Sequence, residues 1–210
     1  MSRNEAIAPA GRFRGEDRGA SVAWRGIRYA HAERFALPGP VAPPSDIVDA
    51  VRLGAACPQQ VGFATPEQLG PSQSEDCLFL NIFSPGSVAK RRPVMVWFHG
   101  GAFVGGSAAM YDGGMLAETG DIVVVGVNYR LGLLGFLGVE ALGIPMNLGL
   151  HDQIAALRWV RDNIAAFGGD PDHVTIAGES AGSVSVSVSL LMLSAAAGGL
   201  FHGASCRAGR

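Results

Sequence analysis

Four short apolar runs, each broken off by turn-forming residues, constrain this 210-residue chain more than any other feature. Cys77–Phe83 stops at Ser84-Pro85-Gly86, Val94–Phe98 at His99-Gly100-Gly101, Ile122–Val127 at Asn128 and Val174–Ala177 at Gly178. Runs this apolar read as strands buried on both faces. Helical patterns separate the later ones. Met110–Thr119 lies between the second and third runs, and Gly149–Ala166 between the third and fourth. In that second helix Leu150, Ile154, Leu157, Val160 and Ile164 share one face, Arg161 interrupts it and Trp159 points away. Phe167-Gly168-Gly169 supplies its C-terminal stop. Strands alternating with helices predict an α/β domain on a mostly parallel central sheet. In such sheets active sites lie at the carboxyl ends of strands, where His99-Gly100-Gly101 and Gly178–Gly182 both fall.

The flanking segments are plainer. Residues 1–10 read as a frayed, disordered N-terminus. The short alternating stretches of residues 11–30 suit an N-terminal antiparallel ribbon. Residues 36–75, rich in Pro, Gly, Gln and Ser, form a long irregular excursion of the kind that is functional or poorly ordered. Hydrophobic residues at 48% against 16% charged ones exclude a disordered chain. A net charge of −2 gives no electrostatic case for nucleic acid. No apolar run is long enough to span a bilayer. The first residues hold no apolar signal segment, which favours the cytoplasm. Zinc spacing and a dinucleotide fingerprint are both absent, so neither metal nor cofactor is expected. Of the three cysteines, Cys57 and Cys77 could close a loop, worth about 3 kcal/mol if oxidised, or stay as two separate thiols.

Gly178-Glu179-Ser180-Ala181-Gly182 singles out Ser180. With 30 glycines in the chain, a lone G-x-S-x-G arises easily by chance. Its setting carries the information: an apolar strand precedes it, and an apolar stretch that can be helical follows. That is the strand–turn–helix context of a nucleophile elbow. The period-two alternation of Val184–Ser189 argues for a strand instead, but Leu190-Leu191-Met192-Leu193 continues without a turn signal, so a helix of poor propensity is expected. His99-Gly100-Gly101-Ala102-Phe103 supplies a second element. A glycine-rich turn at a strand end offers bare N–H groups to a developing oxyanion, and the Ala181 N–H would complete such a hole.

Several further segments, in order, resemble the type-B carboxylesterases, the cholinesterase-like branch of the α/β-hydrolases. They are Ser74–Asn81, Val96–Phe103, Asn128–Gly132, Asn147–Gln153, Phe167–Pro171 and Gly178–Gly182, and they span about residues 11–202. The resemblance implies a truncated α/β-hydrolase fold and a carboxylic ester hydrolase acting on a small-molecule ester through an acyl-serine. Ser180 would attack, the N–H groups of Gly101, Ala102 and Ala181 would hold the oxyanion, and Gly100 would shape the turn. It further implies that Cys57 and Cys77 are the family's disulfide pair. Arg130 with Asp170, and Arg34 with Glu75, would be its internal ion pairs, and His99 would be scaffold.

The sequence departs from the family after Ser180. The triad order Ser, acid, His requires an acid and a histidine downstream. Residues 181–210 contain no Asp or Glu, and their one histidine, His202, sits in a segment resembling scaffold. Gly203-Ala204-Ser205-Cys206-Arg207-Ala208-Gly209-Arg210 is a divergent polar tail where an apolar strand is expected. This points to an N-terminal portion with a truncation or reading-frame change near residue 203. It also points to impaired catalysis, with an inactive fragment or cholinesterase-like binding module as the alternative. An uncovered sheet edge would leave such a chain marginally stable.

Overall fold

The computed structural model describes residues 2–60, 62, 65–86, 90–187 and 197–207. Chain entry forms a ribbon of short strands: β1 (Glu5–Ala8), β2 (Gly11–Arg14), β3 (Glu16–Asp17), β4 (Ser21–Arg28) and β5 (Ile47–Asp49). A single turn of helix, α1 (Pro66–Leu69), interrupts the long excursion. Regular alternation then runs β6 (Phe79–Pro85), β7 (Arg92–Phe98), α2 (Gly114–Gly120), β8 (Val123–Val127), α3 (Gly132–Phe136), α4 (Leu148–Asn163), β9 (Gly169–Glu179), α5 (Ala181–Ser187) and β10 (Gly203–Arg207).

Two sheets result. The small one has the order β1-β2-β5, and the large one β10-β9-β7-β8-β6-β4-β3. In the large sheet β10, β9, β7 and β8 run parallel, while β6, β4 and β3 join antiparallel. The site half of the sheet is therefore parallel, and the sheet as a whole is mixed. All five residues of β8 are buried, as an apolar run covered on both faces must be. Below the sheet α4 buries Leu150, Ile154, Leu157, Val160 and Ile164, and leaves Arg161 exposed.

Three expectations need correcting. Glu5–Ala8 is not frayed: it pairs with Gly11–Arg14, Ala6 is buried, and the Trp24 indole N–H donates to the Asn4 carbonyl at 3.1 Å. Trp159 points away from the sheet-facing stripe as expected, and is buried there all the same. The ribbon packs on a second flank of α4, where Phe167 touches Trp159, Trp24 and Phe13 at ring separations of 5.2–5.9 Å. Periodicity registered the stripe facing the sheet and missed the stripe facing the ribbon. Arg130 pairs with Asp152, not Asp170. Its Nε and Nη2 donate to the carboxylate at 2.8 and 2.7 Å, and its backbone N–H at 3.0 Å. Asp170 begins β9, whereas Arg130 follows the carboxyl end of the parallel β8, so the two lie at opposite ends of the sheet. Finally, the polar tail does form a strand. Gly203–Arg207 pairs in parallel register with Thr175–Glu179, through the main chain, with residues 204–207 exposed. The Arg34–Glu75 pair is present.

Among the described residues no helix is long and apolar enough to cross a membrane.

Candidate active site

Two strand ends meet here. At the end of β9 the chain turns sharply at Ser180, whose φ of 54° lies in the left-handed region. For a residue with a side chain this costs about 1–2 kcal/mol, and it persists because neighbours enforce it. The flanking glycines show how. A methyl on Gly182 would lie 2.0 Å from the Phe98 carbonyl oxygen and 3.0 Å from that of His99; one on Gly178 would meet the Gly182 carbonyl carbon at 2.4 Å. Strand β7 and the first turn of α5 touch backbone to backbone, and only glycine permits it. Helix α5 follows at once, with the Val184 N–H donating to the Ser180 carbonyl at 2.9 Å. The period-two pattern at its start is overridden by this turn; Leu190–Leu193 lie outside the described residues.

At the end of β7 lies the second turn. Gly101, Ala102 and Phe103 all have positive φ, at 112°, 53° and 62°. A methyl on Gly101 would sit 2.1 Å from the Gly105 carbonyl oxygen, so the loop closes on itself, with the Val104 and Gly105 N–H groups both donating to the Gly101 carbonyl at 2.9 Å. The turn abuts the serine: a methyl on Gly100 would lie 3.1 Å from Ser180 Cβ and 2.8 Å from the Glu179 carbonyl oxygen. Among the described residues no acceptor takes the N–H of Gly101, Ala102 or Ala181. The Gly100 N–H faces the Tyr111 hydroxyl, whose pKa is raised by burial and by Glu179.

Half-buried Gln59 and Gly132 and fully buried Tyr129 brace this second turn from behind. The Gln59 side-chain amide forms two bonds to Gly106, accepting its N–H at 2.7 Å and donating to its carbonyl at 2.9 Å. The Tyr129 hydroxyl donates to the His99 carbonyl at 2.7 Å, and the Gly132 N–H to that of Phe103 at 2.7 Å. The His99 ring stacks on Tyr129 at 4.5 Å, with Nδ1 2.8 Å from the Gly100 carbonyl. Burial lowers its pKa to about 4, so it stays neutral and donates from Nδ1. His202 is occupied too: its Nδ1 accepts the Val174 N–H at 3.1 Å. Neither ring has a nitrogen directed by these bonds at Ser180.

Cys57 and Cys77 are buried free thiols in hydrogen-bonded contact, which lowers the Cys57 pKa and raises that of Cys77. The Leu131 N–H donates to Cys57 Sγ at 3.2 Å. Cys206 is exposed on β10. Among the described residues no group of three or more His, Cys, Asp or Glu is placed to hold a metal ion. Two structural supports escaped the sequence reading: Gln59, beyond the reach of any local pattern, and the Arg207 carbonyl, which accepts the Ser180 N–H at 3.1 Å.

A left-handed serine stands at a parallel strand end beside a glycine turn, and the N–H groups of Gly101 and Ala102 meet no acceptor among the described residues. The sequence profile of the carboxylesterase family matches residues 3–210. The chain belongs to the carboxylesterase family. It is 46% identical to the para-nitrobenzyl esterase of Bacillus subtilis (strain 168) over 208 residues, covering 95% of this chain and 42% of that protein. Carboxylesterase 3B of Mus musculus is 43% identical, covering 98% and 39%. Among solved structures, a thermophilic PNB esterase superposes with a TM-score of 0.91 at 43% identity, covering 97% of this chain and 44% of that one. The fold is thus the α/β-hydrolase fold, and the carboxylesterase segment seen here spans less than half the length of the relatives it matches.

Proposed function

We propose that this chain carries the nucleophile and oxyanion-binding half of a carboxylic ester hydrolase site. Ser180 Oγ attacks the ester carbonyl carbon. The N–H groups of Gly101, Ala102 and Ala181 take up the charge on the carbonyl oxygen, and Gly100 keeps the turn close enough for them to act together. Collapse expels the alcohol and leaves an acyl-serine, which water hydrolyses. Donors fixed in advance act without reorganising as charge develops, and removing one such donor in a related design costs about 3–4 kcal/mol of barrier. The observation that carries this reading is the contact between the two turns: Ser180 is held at positive φ directly against Gly100. The printed names of the relatives, para-nitrobenzyl esterase and carboxylesterase, support a small carboxylic ester as the substrate class. No cofactor enters the scheme.

Deprotonating Ser180 needs a base. His99 is fully buried with its pKa lowered to about 4, His202 is bonded through Nδ1 to the Val174 N–H in the middle of β9, away from its Ser180 end, and residues 181–210 hold neither Asp nor Glu. The chain by itself therefore acylates too slowly to be told apart from Ser180→Ala, and an added base should help. The test is labelling by a fluorophosphonate with and without millimolar imidazole, with the modified residue mapped by mass spectrometry. Imidazole should accelerate phosphonylation of Ser180 and leave Ser180→Ala unlabelled. Equal modification of Ser183 or Ser185, or none at Ser180 with imidazole, would contradict the reading and favour a catalytically silent binding module.

A further inference from the structure

Helix α4 reaches both turns of the site through two adjacent residues. Asp152 holds Arg130, two residues before the Gly132 N–H that donates to the Phe103 carbonyl. Gln153, fully buried, reaches the other side: its Nε2 donates to Ser185 Oγ at 3.1 Å, and that hydroxyl donates to the Ala181 carbonyl at 3.2 Å. The remaining end of the amide, Oε1, is buried with no partner among the described residues. The bond that ties Gln153 to α5 therefore runs through its Nε2.

The direction of these bonds gives the amide its effect. A helical serine hydroxyl can rotate among several acceptors. With the Gln153 N–H occupying a lone pair of Oγ, the hydroxyl hydrogen is left to the Ala181 carbonyl. Helix α5 begins Ala181-Gly182-Ser183-Val184-Ser185, and after Ala181 these residues are weak helix formers, so its first turn depends on such braces. We propose that Gln153 is a positioning residue: through Ser185 it fixes the first turn of α5, and with it the Ala181 N–H beside Ser180. This rests on the reading of Ser180 as nucleophile, which the experiment separates from it.

The measurement is hydrogen exchange across residues 184–187 in the full chain, with Val123–Val127 of β8 as the reference and the denaturation midpoint recorded alongside. Gln153→Leu should speed exchange in α5 about fivefold, the loss of one hydrogen bond. It should leave β8 unchanged and the midpoint close to the parent's, because the lost bond is local to α5. Gln153→Glu should act more strongly, since a carboxylate draws the Ser185 proton away from Ala181. Ser185→Ala should match Gln153→Leu, and the double variant should add nothing. Imidazole-assisted phosphonylation of Ser180 should slow in parallel. Unchanged exchange in Gln153→Leu, or a rise shared by β8 with a lowered midpoint, would overturn the assignment. So would loosened exchange with labelling at the parental rate. If the exchange pattern appears while even the parent resists labelling, the nucleophile reading fails and the structural brace stands.

Discussion

The two turns of the site are held in different ways. The turn at 99–106 is pinned from the core: Gln59, Tyr129 and the Gly132 N–H each bond to its main chain, and His99 is buried against Tyr129. The turn at Ser180 is pinned by contact with β7, by the Gln153–Ser185 relay, and by the carbonyl of Arg207 on an exposed edge strand. One side is set by the interior, and the other partly by a polar strand that contributes only its main chain. The turn at 99–106 is thus braced by more side-chain and main-chain bonds than the turn at Ser180, and each can be perturbed separately.

The largest expected effect strikes where the turns touch. Gly182→Ala drives a methyl to 2.0 Å from the Phe98 carbonyl oxygen, a clash between two backbones that no rotamer relieves. A loss of about 4 kcal/mol in denaturant unfolding is expected. A loss under 1 kcal/mol would mean that the strand–helix contact is looser than described.

Acid should test the core-pinned turn next. Folded His99 has its pKa lowered to about 4, against 6.5 when exposed. Below about pH 6.5 the unfolded chain binds a proton that the folded chain refuses. Stability is therefore full above that pH and declines as pH falls toward 4, by roughly 3 kcal/mol in all. His99→Gln should flatten that part of the stability–pH curve, and an unchanged slope would remove His99 from the account.

The smallest effect belongs to the edge strand. Arg207→Ala should change stability by less than about 0.5 kcal/mol, because its exposed side chain is not what holds Ser180. A larger change would show that the side chain, and not the carbonyl, fixes the elbow.

Much of this arrangement was legible in the residues. The strands β7 and β8, the apolar face of α4 and both glycine turns follow from apolar spacing and from glycine at strand ends, although only β8 is buried throughout while Met95 and Trp97 of β7 are half-buried. What escaped depended on partners distant in sequence. Trp159 is buried by the ribbon, Arg130 selects Asp152 by which end of the sheet each occupies, and Gln59 reaches Gly106 from the irregular excursion. β10 escaped for a different reason. Strand pairing there needs only a free neighbouring edge and main-chain groups, so a polar sequence satisfies it.

The central proposal is that Ser180 and the N–H groups of Gly101, Ala102 and Ala181 act together as nucleophile and oxyanion donors. It is tested most directly by p-nitrophenyl ester turnover, measured as the difference between the chain and Ser180→Ala, with and without imidazole. The account expects no difference in buffer alone and a clear, saturable one with imidazole. A difference without imidazole, or none with it, would contradict the account.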